Sequence, residues 1–184
     1  MKTHCISKAE VELRNFMRLL WEQHITWTRL TILSIVFHLP DLNVVVARLL
    51  QNATDMGNSL RMFYGDQAAE AYSKLIREHL VIAADLVKAA EGNQSLADEK
   101  ERAWYSNADE IAEFLSSINP YLSREEVRKM FYEHLALTKS EAVFMITGDY
   151  ESGVRAFDKI EQQALGMADM ISGAIVKQFP ERFV

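Results

Sequence analysis

Residues 19–30 read LLWEQHITWTRL, and this stretch predicts a helix whose apolar side carries a histidine. Met17, Leu20 and Trp27 have the spacing of one helix face, and His24 lies among them on the same face. Two later stretches repeat the arrangement: WEQHITW at 21–27 is followed by IREHLVI at 76–82 and FYEHLAL at 131–137. The sequence therefore predicts long helices that carry three histidines on their apolar faces, namely His24, His79 and His134.

Signals for helix ends surround these stretches. There are only three prolines, and none interrupts a long periodic segment. Two serines precede a glutamate by three residues, which is the capping-box spacing at a helix start: Ser7 and Ser123. Glycines follow three of the periodic segments, where a left-handed residue commonly ends a helix: Gly65, Gly92 and Gly148. We predict six helices, near residues 7–39, 41–64, 66–91, 95–118, 123–147 and 149–178.

The short connections between these helices predict the architecture. Helices joined by short loops pack as antiparallel neighbours, and no segment shows the alternation of a strand. A chain of 184 residues is long enough to bury a sizeable core. The expected fold class is all-α: an antiparallel bundle of about six helices, arranged as three helical hairpins in a single domain over residues 1–184.

Composition and charge narrow the class of protein. The net charge is −6, and acidic and basic residues are mixed along the chain, which argues against a nucleic-acid surface. The longest apolar stretch, residues 30–39, is shorter than the roughly 20 residues that span a bilayer. The N-terminus lacks a signal-peptide core, and a single cysteine, Cys5, suits a reducing compartment. We expect a cytoplasmic protein without nucleic-acid or membrane partners, and the sequence allows a homodimer.

The helices that follow the histidines carry a second repeat. An asparagine lies 28 residues after His24 and again 28 residues after His79, and an acidic residue follows each asparagine by three: Asp55 and Glu110. Residues equally far from the turn of an antiparallel hairpin lie at the same height. In the third hairpin, residues 161–163 are level with His134, and Glu161 shares a helix face with Phe157 and Ala164.

Polar groups gathered at one level of a core need partners, because burying them unpaired costs a few kcal/mol each. Neutral imidazoles with carboxylates suit iron, manganese or zinc. The sequence thus predicts a metal site with the ligands His24, Asp55, His79, Glu110, His134 and Glu161. Alternatively, the imidazoles form structural hydrogen bonds with the carboxylates or asparagines. A weaker metal candidate is His4 with Cys5.

Two functions follow from these alternatives. One is a metal-binding helical protein of unknown reaction, and the other is a non-enzymatic sensor or interaction module whose core histidines are structural. The sequence contains no GxSxG elbow, glycine-rich phosphate loop, CxxC or HExxH motif. Whether the protein is an enzyme is therefore left open.

Four stretches carry a family resemblance: LWEQHITWTR, LPDLNVVVARLLQN, NADEIAEFLSSINP and KQFPERF. With them the chain resembles, over nearly its whole length, a family of all-helical proteins from spore-forming bacteria for which no chemistry is defined. Some members carry an acetylglutamate kinase label, which this sequence does not support because such kinases are α/β sandwiches with glycine-rich loops. A looser likeness to ferritin-like bundles implies a metal, although those bundles carry Glu and His three residues apart on one helix.

Overall fold

The computed structural model describes residues 6–184, so the predicted candidate formed by His4 and Cys5 lies outside the described residues. These residues form five α-helices and a short 3₁₀ turn, with no strand between residues 6 and 184. The helices are α1 Lys8–Val36, α2 Leu42–Ala90, α3 Gln94–Ile118, α4 Arg124–Thr147 and α5 Tyr150–Gln178. The all-α class is confirmed, but five helices are present where the sequence predicts six, because residues 42–90 form one element.

Side-chain caps set most helix starts. α1 begins after Ser7, whose hydroxyl accepts a hydrogen bond from the N–H of Glu10 at 3.2 Å, as the capping-box spacing predicts. The same bond at Ser123 starts α4, and Asp149 caps α5. α3 begins at Gln94, one residue before the predicted start at residue 95. The side chain of Asn93 caps it by accepting a hydrogen bond from the N–H of Leu96.

Helix α2 is interrupted at Gly65, which has φ 81° and ψ 179°. This backbone conformation favours glycine, because a side chain is strained at such a positive φ. The chain doubles back here: a Cβ placed on Gly57 would lie 2.5 Å from the carbonyl oxygen of Ala69 and 2.6 Å from Cβ of Ser73. In a straight helix, residues 57 and 73 would be about 24 Å apart. The two segments of α2, residues 42–64 and 66–90, therefore lie side by side.

Each helix packs against its neighbours in sequence, and α1 also packs against α5. A main apolar core draws on all five helices; its largest fully buried side chains include Trp21, Tyr72 and Phe131. A second, smaller cluster is separate from it and consists of Ile32, Ile35, Val87, Ala142 and Met145. None of the described helices is both long enough and apolar enough to cross a membrane.

Candidate functional site

The three histidines lie inside the bundle, each near the middle of its helical segment. The exposed fractions of His24, His79 and His134 are 3%, 2% and 2%. The ring centroids of His24 and His134 are 5.6 Å apart, and the ring of His79 lies 6.0 Å from that of Phe131 on α4. The three residues are spaced 55 positions apart in sequence, and they lie in alternate helical segments: α1, the second segment of α2, and α4.

An amide side chain on the following helical segment contacts each histidine in the same way. It bonds both the ring of the histidine and the backbone of the helix that carries the histidine. The distances from Nδ1 to the amide oxygen are 3.3 Å for His24–Asn52, 2.8 Å for His79–Asn107 and 3.0 Å for His134–Gln163. The amide nitrogen donates to the backbone carbonyl four residues before the histidine, at Leu20, Leu75 and Met130. We call these three histidines and three amides the histidine–amide layer.

These contacts fix the tautomer of every ring. A backbone carbonyl can only accept, so the amide nitrogen must point to it and the amide oxygen must face the ring. Nδ1 therefore carries the hydrogen and donates to the amide oxygen, and Nε2 carries the lone pair. At His79 that lone pair accepts a hydrogen bond from Nε1–H of Trp104 at 3.1 Å.

The other two Nε2 atoms are in a different situation. Within residues 6–184 no hydrogen bond reaches Nε2 of His24 or Nε2 of His134. The indole N–H of Trp21 is also buried without a partner, and its ring centroid is 5.5 Å from that of His24. His24 and His134 thus keep a lone pair that could accept a hydrogen bond or bind a metal ion.

Burial governs the charge state of the layer. Desolvation lowers the pKa of His79 to about 3, further depressed by the nearby His134 and opposed by the hydrogen bond to Asn107. Desolvation likewise lowers the pKa of His134 to about 4, and it holds the pKa of His24 well below its usual value. The three rings are therefore neutral at physiological pH, and none is poised to exchange protons there.

The carboxylates predicted as ligands do not join the histidines. Asp55 is half-buried and accepts a hydrogen bond from Gln51 on the surface, Glu110 is exposed, and Glu161 is half-buried. Residues 6–184 contain no group of three or more His, Cys, Asp or Glu side chains placed to hold a metal ion. The structure thus brings together the histidines of the predicted set and leaves its carboxylates outside the layer, and a metal role for these residues stays a prediction.

Two members of the site are absent from the sequence-based set. Gln163 takes the place expected for Glu161, and Trp104 donates to His79. Gln163 follows its histidine by 29 residues, not 28, and its side chain is one methylene longer than asparagine. The regular spacing of the histidines, together with an amide at each level, is the sequence signal that points to it.

An apolar cavity of about 270 Å³ adjoins the layer. It lies between α1, α2, α3 and α4, beside the smaller apolar cluster, and is partly open to solvent; its walls include Ile32, Leu80, Val87, Trp104, Thr138 and Ala142. Trp104 links the two features, since it lines the cavity and donates to His79. Lys139 and Glu101 also line the cavity and form an ion pair with an N–O distance of 2.6 Å.

Replacing one amide of the layer tests how much the layer contributes to the stability of the fold. Asn107→Leu keeps the number and branching of the side-chain heavy atoms but leaves the buried Nδ1–H of His79 without an acceptor. We expect a loss of about 2 kcal/mol in the free energy of unfolding, measured by urea denaturation, because an unsatisfied buried donor costs about 1–3 kcal/mol. The control Glu110→Gln changes an exposed side chain and should stay within about 0.5 kcal/mol of the parent. Equal losses in both variants would contradict the assignment.

Comparisons of the chain with protein-family models, with curated proteins and with solved structures found no match.

Proposed function

We propose that this chain is a non-enzymatic sensor that binds a small apolar molecule, and that its histidine–amide layer is structural. The observation that carries the proposal is the cavity of about 270 Å³ between α1, α2, α3 and α4. Binding sites for small molecules are concave, mainly apolar and equipped with a few polar groups. An engineered apolar cavity of about 150 Å³ is enough to bind benzene, so the space here suits a ligand of one or two rings.

The geometry of the layer supports a structural role for the histidines. Each Nδ1–H donates to an amide that is itself anchored to the backbone of the histidine's own helix. We infer an architecture of three helical hairpins, the second beginning after Gly65, in which each histidine–amide pair joins the two helices of one hairpin. Such a pair fixes the register of the two helices along their axes. It also gives hydrogen-bond partners to an imidazole and an amide that would be costly to bury unpaired.

Ligand binding can be tested with naphthalene as the probe. In carbon–proton NMR spectra, the methyl groups of Ile32 and Leu80 should shift and saturate as naphthalene is added, because both side chains line the cavity. Ala83→Phe places a ring at the cavity wall and should raise the dissociation constant at least about tenfold, since lost apolar contact area weakens binding. The control Ala136→Phe, on the exposed side of α4, should bind as the parent does. Absence of saturation, or equal binding by both variants, would contradict the proposal.

A metal site at His24 and His134 is a second candidate function. It is favoured by the two Nε2 lone pairs without a hydrogen bond and by the 5.6 Å separation of the rings. An Nδ1–H that donates to an oxygen is the usual support for a histidine that binds metal through Nε2. Iron, manganese or zinc would be compatible with two imidazole ligands, the remaining positions being taken by other donors.

Elemental analysis of protein purified without a histidine tag tests this second candidate. If a metal is bound, His24→Gln and His134→Gln should each lose it, because each removes one of the two available Nε2 atoms. His79→Gln should retain it, since Nε2 of His79 already accepts from Trp104. A metal content far below one equivalent per chain in the parent protein would contradict the metal site and leave the cavity proposal standing.

A further inference from the structure

An ion pair joins two helices at the edge of the cavity. Nζ of Lys139 on α4 lies 2.7 and 2.6 Å from the two carboxylate oxygens of Glu101 on α3, and both residues line the cavity. Their side chains are 45% and 28% exposed, whereas Ile32 and Leu80 in the same lining are 2% and 3% exposed. The pair therefore lies where the cavity meets solvent.

The lining of the cavity carries no net charge. Among the described residues that line it, Lys139 and Glu101 are the only charged ones, and they pair with each other. Arg29 and Glu141, on neighbouring turns of α1 and α4, do not line the cavity and also form a pair. A ligand in the cavity would thus meet apolar walls and, at their edge, one positive and one negative charge that cancel.

This arrangement penalises a ligand that carries an ionised group. An anion near the pair is attracted by Lys139 and repelled by Glu101, and for a cation the two contributions are reversed. The ionised group would also lose part of its hydration on entering an apolar site, which is costly when no unpaired counter-charge compensates it. A neutral molecule of the same size does not pay this cost.

We propose, building on the ligand-binding function above, that the Lys139–Glu101 ion pair determines specificity: it restricts the cavity to neutral apolar ligands and disfavours organic acids and amines of the same size. Removing either partner would leave the other as an unpaired charge at the edge of the cavity. The cavity should then accept ligands of one charge, and the sign of that charge should depend on which partner is removed.

Three probes with the same ring system test the inference: naphthalene, the anion 2-naphthoate and the cation formed by 2-(aminomethyl)naphthalene at pH 7. Their dissociation constants are measured by the same methyl NMR titration, and naphthalene serves as the reference that reports any change in the cavity itself. The parent should bind both ions at least about tenfold more weakly than naphthalene, because an ionised group is costly to desolvate.

The two variants should change this preference in opposite directions. Glu101→Gln leaves Lys139 unpaired, so the dissociation constant of 2-naphthoate relative to that of naphthalene should fall about fivefold, the upper range for a partly exposed ion pair. Lys139→Met keeps the apolar stem but leaves Glu101 unpaired, so the same ratio should fall for the cation and not for the anion. Both side chains are partly exposed, so both variants should fold.

The matched controls are Glu99→Gln on α3 and Lys129→Met on α4, which change the net charge equally but replace exposed residues outside the cavity. Both should leave the ratios within about twofold of the parent. If the parent binds 2-naphthoate as tightly as naphthalene, or if the controls shift the ratios as much as the variants do, the proposed specificity is wrong while the cavity still binds apolar molecules. If no probe saturates on the parent protein, both this inference and the proposed function are overturned.

Discussion

Lowering the pH from 6.5 to 4.5 is expected to remove most of the stability of this protein. Burial depresses the pKa of His24, His79 and His134, whereas the unfolded chain binds protons at the ordinary histidine pKa near 6.5. Below pH 6.5 the unfolded state therefore holds more protons than the folded state, and stability falls as the pH falls. Each such group contributes about 1.4 kcal/mol per pH unit, so three contribute about 4 kcal/mol per unit.

This loss is comparable with the total stability of about 5–15 kcal/mol that is typical of a globular protein. The measurement is a set of urea denaturation curves at pH 7.0, 6.0 and 5.0. Glu141 acts in the opposite direction, because burial raises its pKa, and Glu141→Gln should therefore steepen the decline. His134→Gln should reduce the slope by about one third. A free energy of unfolding that stays constant between pH 7.0 and 5.0 would contradict the neutral, buried state of the layer.

Gly57→Ala is expected to destabilise the fold by about 3 kcal/mol. Its new Cβ would lie 2.5 Å from the carbonyl oxygen of Ala69, a backbone atom that cannot rotate away, and 2.6 Å from Cβ of Ser73. The two segments of α2 would have to separate, and overpacking of this kind typically costs 1–3 kcal/mol or more. Thermal and urea denaturation measure the effect.

The matched control is Gly166→Ala, also within a helix. Its Cβ would meet only Cε of Met130, at 3.8 Å, which is an ordinary contact. Alanine is favoured over glycine in a helix by up to about 1 kcal/mol, so this variant should be equal to or more stable than the parent. Similar losses at both positions would show that residues 57 and 73 do not approach as closely as described.

The helices were largely predictable because their signals are local. Capping serines, the helical spacing of apolar residues and the glycine at 65 all act within a few positions along the chain. The number of helices was less certain, because only one residue of α2, Gly65, leaves the helical conformation where the chain turns. Local patterns do not reveal whether such a residue bends a helix or reverses it.

The site was predictable only in part. The histidines could be found because they repeat on apolar faces, and equal distance from a turn placed Asn52 and Asn107 at their level. Asn52 and Asp55 are three residues apart, as are Asn107 and Glu110, so the members of each pair differ by only about 60° around the helix axis. The sequence did not show that the asparagine of each pair turns inward and the carboxylate does not. The cavity gave no signal at all, because its walls come from four helices that are far apart in sequence.

The one-residue offset of Gln163 makes the three histidine–amide pairs similar but not interchangeable. In the third pair the amide sits one position later along its helix, and the longer glutamine side chain compensates for the changed rotation. Gln163→Asn alone would withdraw the oxygen from His134 by one methylene group, and the neighbouring Gln162 faces solvent. At this position the length of the amide side chain and its place along the helix therefore depend on each other, and a substitution that changes one must be accompanied by a change in the other.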